Sequence, residues 1–446
     1  MEPNTLLDAL LHESGMSRAG LAERVNQGSR AGGGRPTRYN HASVIRWLKG
    51  ERPRGHVPEL LRDVFSAHLG RRLTLDDIGM GRSTAPPAGT PLSGFVERAA
   101  ALWRGDEQQR ADLQEATVIT GLPAVGPVWE WENPPEDADV ARRAGTPRVG
   151  ASDVQLLRAA RGHYERMYRK AGGVATRGRV VGFLATDTAP LLRGTYTDST
   201  GRDLHRAVGG LVAIAGICSY DSDAQGLAQR YFHQALRMAK ASGDRAFGGY
   251  VVALLVNQSL FMGEYAQAVA FAEAAIRTAG VHISPALRCD LHAMQAKAYS
   301  RMGDQGAAHR AMTLAETAAG QIRTEEEPAE LGYVQPGLLE TNMADALMRL
   351  GDMAPATTYA AEAVAVQTHD RGRVHRLATL SDCQLRAGDA EQAAATALTV
   401  LDTMRGTESR RLCDRLRKLR RSLSAVHTSA TADVVEQIDE TLSIPM

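Results

Sequence analysis

One spacing limits what this chain can fold into more than any other feature. A turn centred on glycine recurs four times, and each copy is followed by small residues at fixed distances. The turns are Met262-Gly263-Glu264-Tyr265, Met302-Gly303-Asp304-Gln305, Leu350-Gly351-Asp352-Met353 and Ala387-Gly388-Asp389-Ala390. Five residues after each glycine stand Ala268, Ala308, Ala356 and Ala393. Twelve after it stand Ala275, Ala315, Ala363 and, less well matched, Val400. An earlier copy fits with Asp223 at the turn and Ala228 and Ala235 behind it. Glycine admits the left-handed backbone of a tight helix–helix turn, and alanines let two antiparallel helices approach closely. Units of this length cannot bury a core alone and stack on their neighbours. The expectation is an all-α chain with a solenoid of five copies over residues 201–405.

A second stretch, His41 to Lys49, carries different chemistry. It predicts a short helix, capped at its start by Asn40 and stopped by Gly50. Val44, Trp47 and Leu48 fall on one face, and His41, Ser43 and Arg46 on the other. Upstream, Ser17 to Val25 reads as a capped helix with Leu21, Ala22 and Val25 inward. From Ser17 to Arg54 there are nine Lys/Arg against two acids, on a chain of net charge +1. A local excess of that size points to a polyanion. Arg46 suits a guanine edge, with His41 and Ser43 beside it. Ser17, Arg18, Arg38, Lys49, Arg52 and Arg54 suit phosphates, which set register and salt dependence.

The segments SRAGLAERV and SVIRWLKGERPR resemble the helix-turn-helix of the lambda-repressor-like (XRE/Cro) regulators. The spacing departs from that family at the turn, where Asn26 to Tyr39 replaces a few residues and includes Gly32-Gly33-Gly34, Arg30, Arg35 and Arg38. That insert, 28–38 at its heart, reads as an arm reaching phosphates or a minor groove. The Gly…Ala…Ala repeat resembles tetratricopeptide (TPR) repeats with long connections. With Ala-Pro-Leu-Leu-Arg-Gly-Thr-Tyr and Leu-Ala-Gln-Arg-Tyr-Phe-His-Gln-Ala-Leu-Arg, the whole resembles a group of actinomycete regulators linked to sporulation and antibiotic control. The resemblance implies a DNA-binding repressor that dimerises through its repeats and senses an effector.

The expected organisation is a helix-turn-helix domain over 1–79 and a Pro/Gly linker over 80–91. A helical connecting region over 92–200 follows, with one helix from Leu92 to about Thr117 and irregular chain at 121–150. The solenoid and then capping helices over 406–446 complete it. In repeats of this type the first helix of each pair faces a common groove. Six residues before each turn glycine stand Asn257, Lys297, Asp345 and Asp382; thirteen before it stand Tyr250, Asp290 and His375, with Glu340 eleven before Gly351 in the remaining copy. This lining leans acidic and favours a basic peptide or amine. The stretch from Ser409 to Ser424 has seven Lys/Arg, one acid and a leucine stripe. It reads as a capping helix with a solvated basic face, against which an acidic helix from Ala432 to Leu442 can fold.

Cys218, Cys289, Cys383 and Cys413 are too scattered for a metal site and read as buried thiols in a reducing compartment. No nucleotide-cradling loop, nucleophile elbow or metalloprotease motif occurs. No cofactor, metal or catalytic residue is expected, and neither is a membrane span. The sequence therefore predicts a cytoplasmic, nucleoid-associated, homodimeric regulator of double-stranded DNA with a peptide, small-molecule or protein effector. Repression is expected, since occupying a promoter needs no further surface. The alternative is a TPR adaptor with a vestigial helix-turn-helix that acts through protein partners.

Overall fold

The computed structural model describes residues 4–31, 37–53, 57–69, 73, 75, 77–80, 92–133, 137, 139–405 and 409–443. The chain divides into two compact units, Met1–Pro86 and Pro87–Met446. Among the described residues there are helices and two isolated bridges but no strand. The all-α expectation is met.

The first unit holds α1 (Thr5–Glu13), α2 (Arg18–Ala31), α3 (His41–Leu48) and α4 (Val57–Leu69). Asn4 caps α1 by accepting from Leu7 N at 3.0 Å, and its amide donates to Ile78 O at 3.0 Å. One side chain thus ties the start of the unit to its end. Leu10, Leu21, Val25, Val44, Trp47, Leu61, Phe65 and Ile78 form the core. The long turn expected after Val25 is shorter, because α2 continues to Ala31. Asn26, on that extra length, holds the returning chain. Its amide oxygen accepts from Thr37 Oγ1 and Tyr39 N, each at 2.9 Å, and its nitrogen donates to Tyr39 O at 2.8 Å. The Gly32-Gly33-Gly34 and Arg35 part of the expected arm, and most of the 80–91 linker, lie outside the described residues.

The second unit opens with α5 (Leu92–Glu107), α6 (Ala111–Gln114), α7 (Leu122–Glu132), α8 (Ala151–Ala171), α9 (Gly173–Phe183) and α10 (Ala189–Arg193). The single helix expected from Leu92 breaks at Gln109, a left-handed residue with φ 52°. The region expected to be irregular contains α7, whose Trp131 is buried while Trp129 is exposed. Phe95, Trp103, Val128, Trp131 and Leu157 share one core with Leu204, Phe232 and Phe247 of the later helices. Residues 92–200 are therefore built into the solenoid's first layers and are not a connector.

Antiparallel pairs follow: α11 (Asp198–Asp221) with α12 (Gln225–Ser242), α13 (Arg245–Met262) with α14 (Tyr265–Ala279), and α15 (Pro285–Met302) with α16 (Gln305–Ala319). Next come α17 (Leu338–Leu350) with α18 (Met353–Ala365), α19 (Asp370–Arg386) with α20 (Ala390–Met404), and α21 (Arg410–Ser424) with α22 (Ser429–Ser443). The repeat turns are left-handed as the spacing requires: Asp223, Gly263, Gly303, Gly351 and Gly388 have φ of 64°, 83°, 80°, 95° and 92°. The alanines at both repeat positions are buried, and so is Val400. Each pair therefore packs on its small residues, as the sequence pattern implies.

Close backbone approach makes one glycine a test of this packing. A Cβ on Gly226, at the start of α12, would stand 2.0 Å from Ala116 O. The adjoining Gln229 pins the same segment, accepting from Ile119 N and donating to Ile119 O, both at 2.8 Å. Gly226→Ala is expected to cost about 1–3 kcal/mol by overpacking against backbone that has no rotamer to yield. Gly178→Ala on α9, with nothing within 4 Å, should cost nothing and gain up to about 1 kcal/mol. Thermal unfolding of the two variants checks the contrast, and equal melting temperatures would contradict it.

Burial also predicts acid sensitivity. His233 on α12 is buried, and desolvation, followed by the nearby Arg230 charge, pushes its imidazole down from 6.5 to about 4. Between those values the unfolded chain binds more protons than the folded one. This contribution is therefore complete above about 6.5 and is lost as pH falls toward 4, by up to about 1.4 kcal/mol per pH unit. Urea midpoints of wild type and His233→Gln at several pH values measure it. The variant should lose about one proton's worth of slope, and parallel profiles would contradict the assignment.

Candidate nucleic-acid interface and inner face of the solenoid

Two surfaces carry the sequence-predicted residues, one in each unit. On the first, α3 is set by its cap. Asn40 accepts from Ser43 N at 3.2 Å, and the Ser43 hydroxyl lies 3.5 Å from Asn40 N. Ser43 is thus consumed in a capping box and is buried. It does not face outward with His41 and Arg46, and the expectation that it reads a base edge is withdrawn. The sequence pattern missed this because a serine three residues into a helix is equally compatible with either face until the cap is seen. The small exposed residue beside His41 is Ala42.

The remaining outward residues of α3 and its end are His41, Arg46 and Lys49, all exposed. Trp47, opposite, is buried and meets Tyr39 edge-on, with ring centroids 5.0 Å apart. Arg46 lies 3.7 Å from Glu51, a solvent-exposed pair of little energetic weight. Arg18 and Arg38 are exposed, and Ser17 caps α2 by accepting from Gly20 N at 3.0 Å. Arg52 donates to Met80 O, so part of its function is to close the unit. Arg54 lies outside the described residues.

On the second unit, the eight predicted positions lie on α13, α15, α17 and α19, and several of them are already occupied by the chain itself. Tyr250 is buried, with its ring 6.0 Å from that of Phe247 and 6.4 Å from that of Tyr333. Asp290 is buried and accepts from Tyr333 Oη at 2.6 Å, and desolvation raises its carboxyl. Tyr333 comes from the connection between α16 and α17, which no sequence pattern marked. The same connection sends Glu330 to Arg206 at 2.8 Å, with Arg161 of α8 at 3.8 Å.

Farther along, α21 covers the acids. Arg415 lies 3.3 Å from Asp382 and donates to Thr379 Oγ1 at 3.0 Å. Asp345 is paired with Arg301 at 2.9 Å and Lys297 at 3.8 Å. Although burial opposes it, the charges of Lys297, Arg301, Arg415 and Lys418 hold the Asp345 carboxyl at about 2. Asn257 stays exposed, while Lys297, Glu340 and His375 are partly exposed. The expected preference for a basic peptide or amine loses its basis, because the chain supplies the cations itself. The capping role of α21 is as expected, with Leu412, Leu416, Leu419 and Leu423 buried against α19, α20 and α22. Its basic face is not simply solvated. Arg420, on another side, pairs with Asp439 of α22 at 2.6 Å, which is the acidic-helix contact the sequence suggested.

One buried carboxylate joins the first pair to the last. Asp221, at the end of α11, accepts from Gly173 N at 2.7 Å, from Arg371 at 2.6 and 3.1 Å, and from Ser409 Oγ at 2.7 Å. Gly173 is what allows the approach, since a Cβ there would stand 2.6 Å from that of Asp221. Arg371 of α19 also donates to Tyr168 Oη at 3.1 Å. Arg411 of α21 lies 4.0 Å from the ring centroid of Tyr220 and 4.4 Å from that of Phe261. Through these contacts the row of helix pairs closes on itself.

A surface cleft of about 480 Å³ beside this junction is lined by Asp106, Gln109, Arg177, Asp223 and Arg410, among others. Its buried carboxylate, Asp106, is already engaged by Tyr231 Oη at 2.7 Å, Gln114 at 2.9 Å and Arg177. None of the predicted site residues falls there. Among the described residues no group of His, Cys, Asp and Glu could hold a metal ion, and no helix is long and apolar enough to cross a membrane.

Residues 7–81, most of the first unit, are similar to the family described as the SP15 N-terminal domain. No curated protein matches the chain.

Proposed function

We propose that this protein is a sequence-specific DNA-binding transcriptional regulator, acting as a homodimer and as a repressor, with its helix-pair repeats as the regulatory part. The observation that carries the reading is α3. Its apolar face is locked into the core by Val44 and Trp47, and the opposite face leaves His41, Arg46 and Lys49 exposed. A rigid short helix with a free basic face suits the major groove. Arg38, in the chain that the Asn26 contacts to Thr37 and Tyr39 hold before α3, and Arg18, at the start of α2, are exposed as well. They suit phosphates.

Selection of duplexes from a random pool by the purified chain tests the reading. The expected outcome is an enriched inverted repeat with half-sites about one turn apart, on the order of 34 Å, whose binding weakens steeply with salt. A pool that stays random would defeat it. The adaptor reading draws on Arg52, whose guanidinium is engaged by Met80 O rather than held out for a phosphate. A stable protein partner recovered from a chain without DNA affinity would favour that reading.

A further inference from the structure

We infer that the inner face of the helix-pair repeats, where α21 packs on α19 near the ion pairs that join α15 to α17, is a binding site for a compact phosphate-bearing anion. The site deepens the regulator reading by naming a class of effector, but its geometry stands independently of DNA binding.

The argument begins with charge. Around the two carboxylates Asp345 and Asp382 are gathered four cations, Lys297, Arg301, Arg415 and Lys418. Three residues of α21, Arg411, Arg415 and Lys418, recur at helical spacing and so share one side of the helix. Arg411 adds a further positive charge at the junction with α11 and α13. Among the described residues it has no ion-pair partner, and only the faces of Tyr220 and Phe261 hold it. The neighbouring carboxylate on its own helix, Asp414, is turned to Arg417 at 2.6 Å. A guanidinium held by aromatic faces alone retains its hydrogen-bonding capacity in the plane of the ring-facing cation. Tyr220, against which it stacks, has a buried hydroxyl with no hydrogen-bond partner. An unpaired buried donor and an unpaired cation in contact favour an anionic acceptor.

The surroundings agree. His375 is partly exposed on this face. Burial, and then the charges of Arg371, Arg415, Lys297 and His369, push its imidazole down to about 3. Lys418 is likewise lowered, first by desolvation and then by Arg415. Burial leads both shifts, and the neighbouring cations add to them. The face remains reachable from solvent, since Asn257 and Lys418 are exposed and the Lys297 side chain is 27% exposed. Phosphate fits such a cluster better than a single carboxylate, because several oxygens can accept from several cations at once.

The test is calorimetric titration of the full chain with pyrophosphate, repeated with ADP and with citrate. The starting protein carries Arg46→Ala and Lys49→Ala, which remove the exposed cations of α3 and its end from the proposed DNA face. Saturable binding of pyrophosphate or ADP is expected. It should weaken at least about tenfold, or 1.4 kcal/mol, in both Arg411→Ala and Lys418→Gln. Lys418 is exposed, so its variant keeps the test valid if Arg411→Ala loosens α21. Bound anion should also raise the His375 pKa, read by NMR titration. Tighter ADP would indicate a nucleotide, and tighter pyrophosphate a smaller phosphorylated metabolite. Absence of binding, binding untouched by either substitution, or citrate binding as tightly as both phosphates would each overturn the inference. Pyrophosphate bound only when Arg46 and Lys49 are intact would assign the heat to the DNA face and overturn it as well.

Discussion

Replacing Asp221 with alanine is expected to destabilise the second unit by about 3–5 kcal/mol, the cost of stranding one member of a buried ion pair. The carboxylate is 0% exposed and answers Gly173 N, both terminal nitrogens of Arg371 and the Ser409 hydroxyl. Removing it leaves the Arg371 charge buried and frees the start of α21. Asp221→Asn keeps the shape but not the charge and should fall between wild type and alanine. The double variant Asp221→Ala/Arg371→Met should recover part of the loss, because the orphaned cation is gone. Urea unfolding measures the energies. Amide exchange should show protection lost first in α19 and α21, the elements this carboxylate joins to α11. A loss under about 1 kcal/mol, or uniform exchange changes, would contradict the closing role.

Arg46→Ala is expected to remove about 1–3 kcal/mol of discrimination between the preferred duplex and its variants, if its guanidinium reads a base pair. Lys49→Ala should act differently. It should weaken all sequences alike and lower the salt slope by about one unit, as loss of a phosphate contact does. Ser43→Ala separates the two explanations of that residue. It should leave base preference unchanged and cost about 0.5–2 kcal/mol of stability through the cap. Binding isotherms over a series of salt concentrations and mismatched duplexes, with thermal unfolding, distinguish all three. A changed base preference in Ser43→Ala would restore it to the reading face.

What could be read from the sequence was mostly local. The repeat turns were legible because a left-handed residue is chemically restricted, and even the copy with Asp223 in place of glycine has φ 64°. The alanines were legible because close helix approach admits little else. The outward face of α3 was legible from its period, except at Ser43, where a cap competed with the surface. The α2 helix ran past its expected end because nothing between Val25 and Ala31 forbids helix, not even Gly28. The contents of the inner face were not legible. Asp382 and Arg415 stand 33 residues apart, and Asp221 and Arg371 stand 150 apart, in different repeats. Pairings of that range depend on how many pairs stack before the row meets itself, which no local spacing encodes. For the same reason an acidic lining could be read from four helices while the basic helix that answers it lay beyond the last repeat.

The measurement that bears most directly on the proposed role is genome-wide occupancy of the tagged protein in its own host, with Arg46→Ala as the paired control. The account predicts a small number of sharp sites sharing an inverted repeat, and their disappearance in the variant at equal protein level. Occupancy indistinguishable between the two proteins would contradict it.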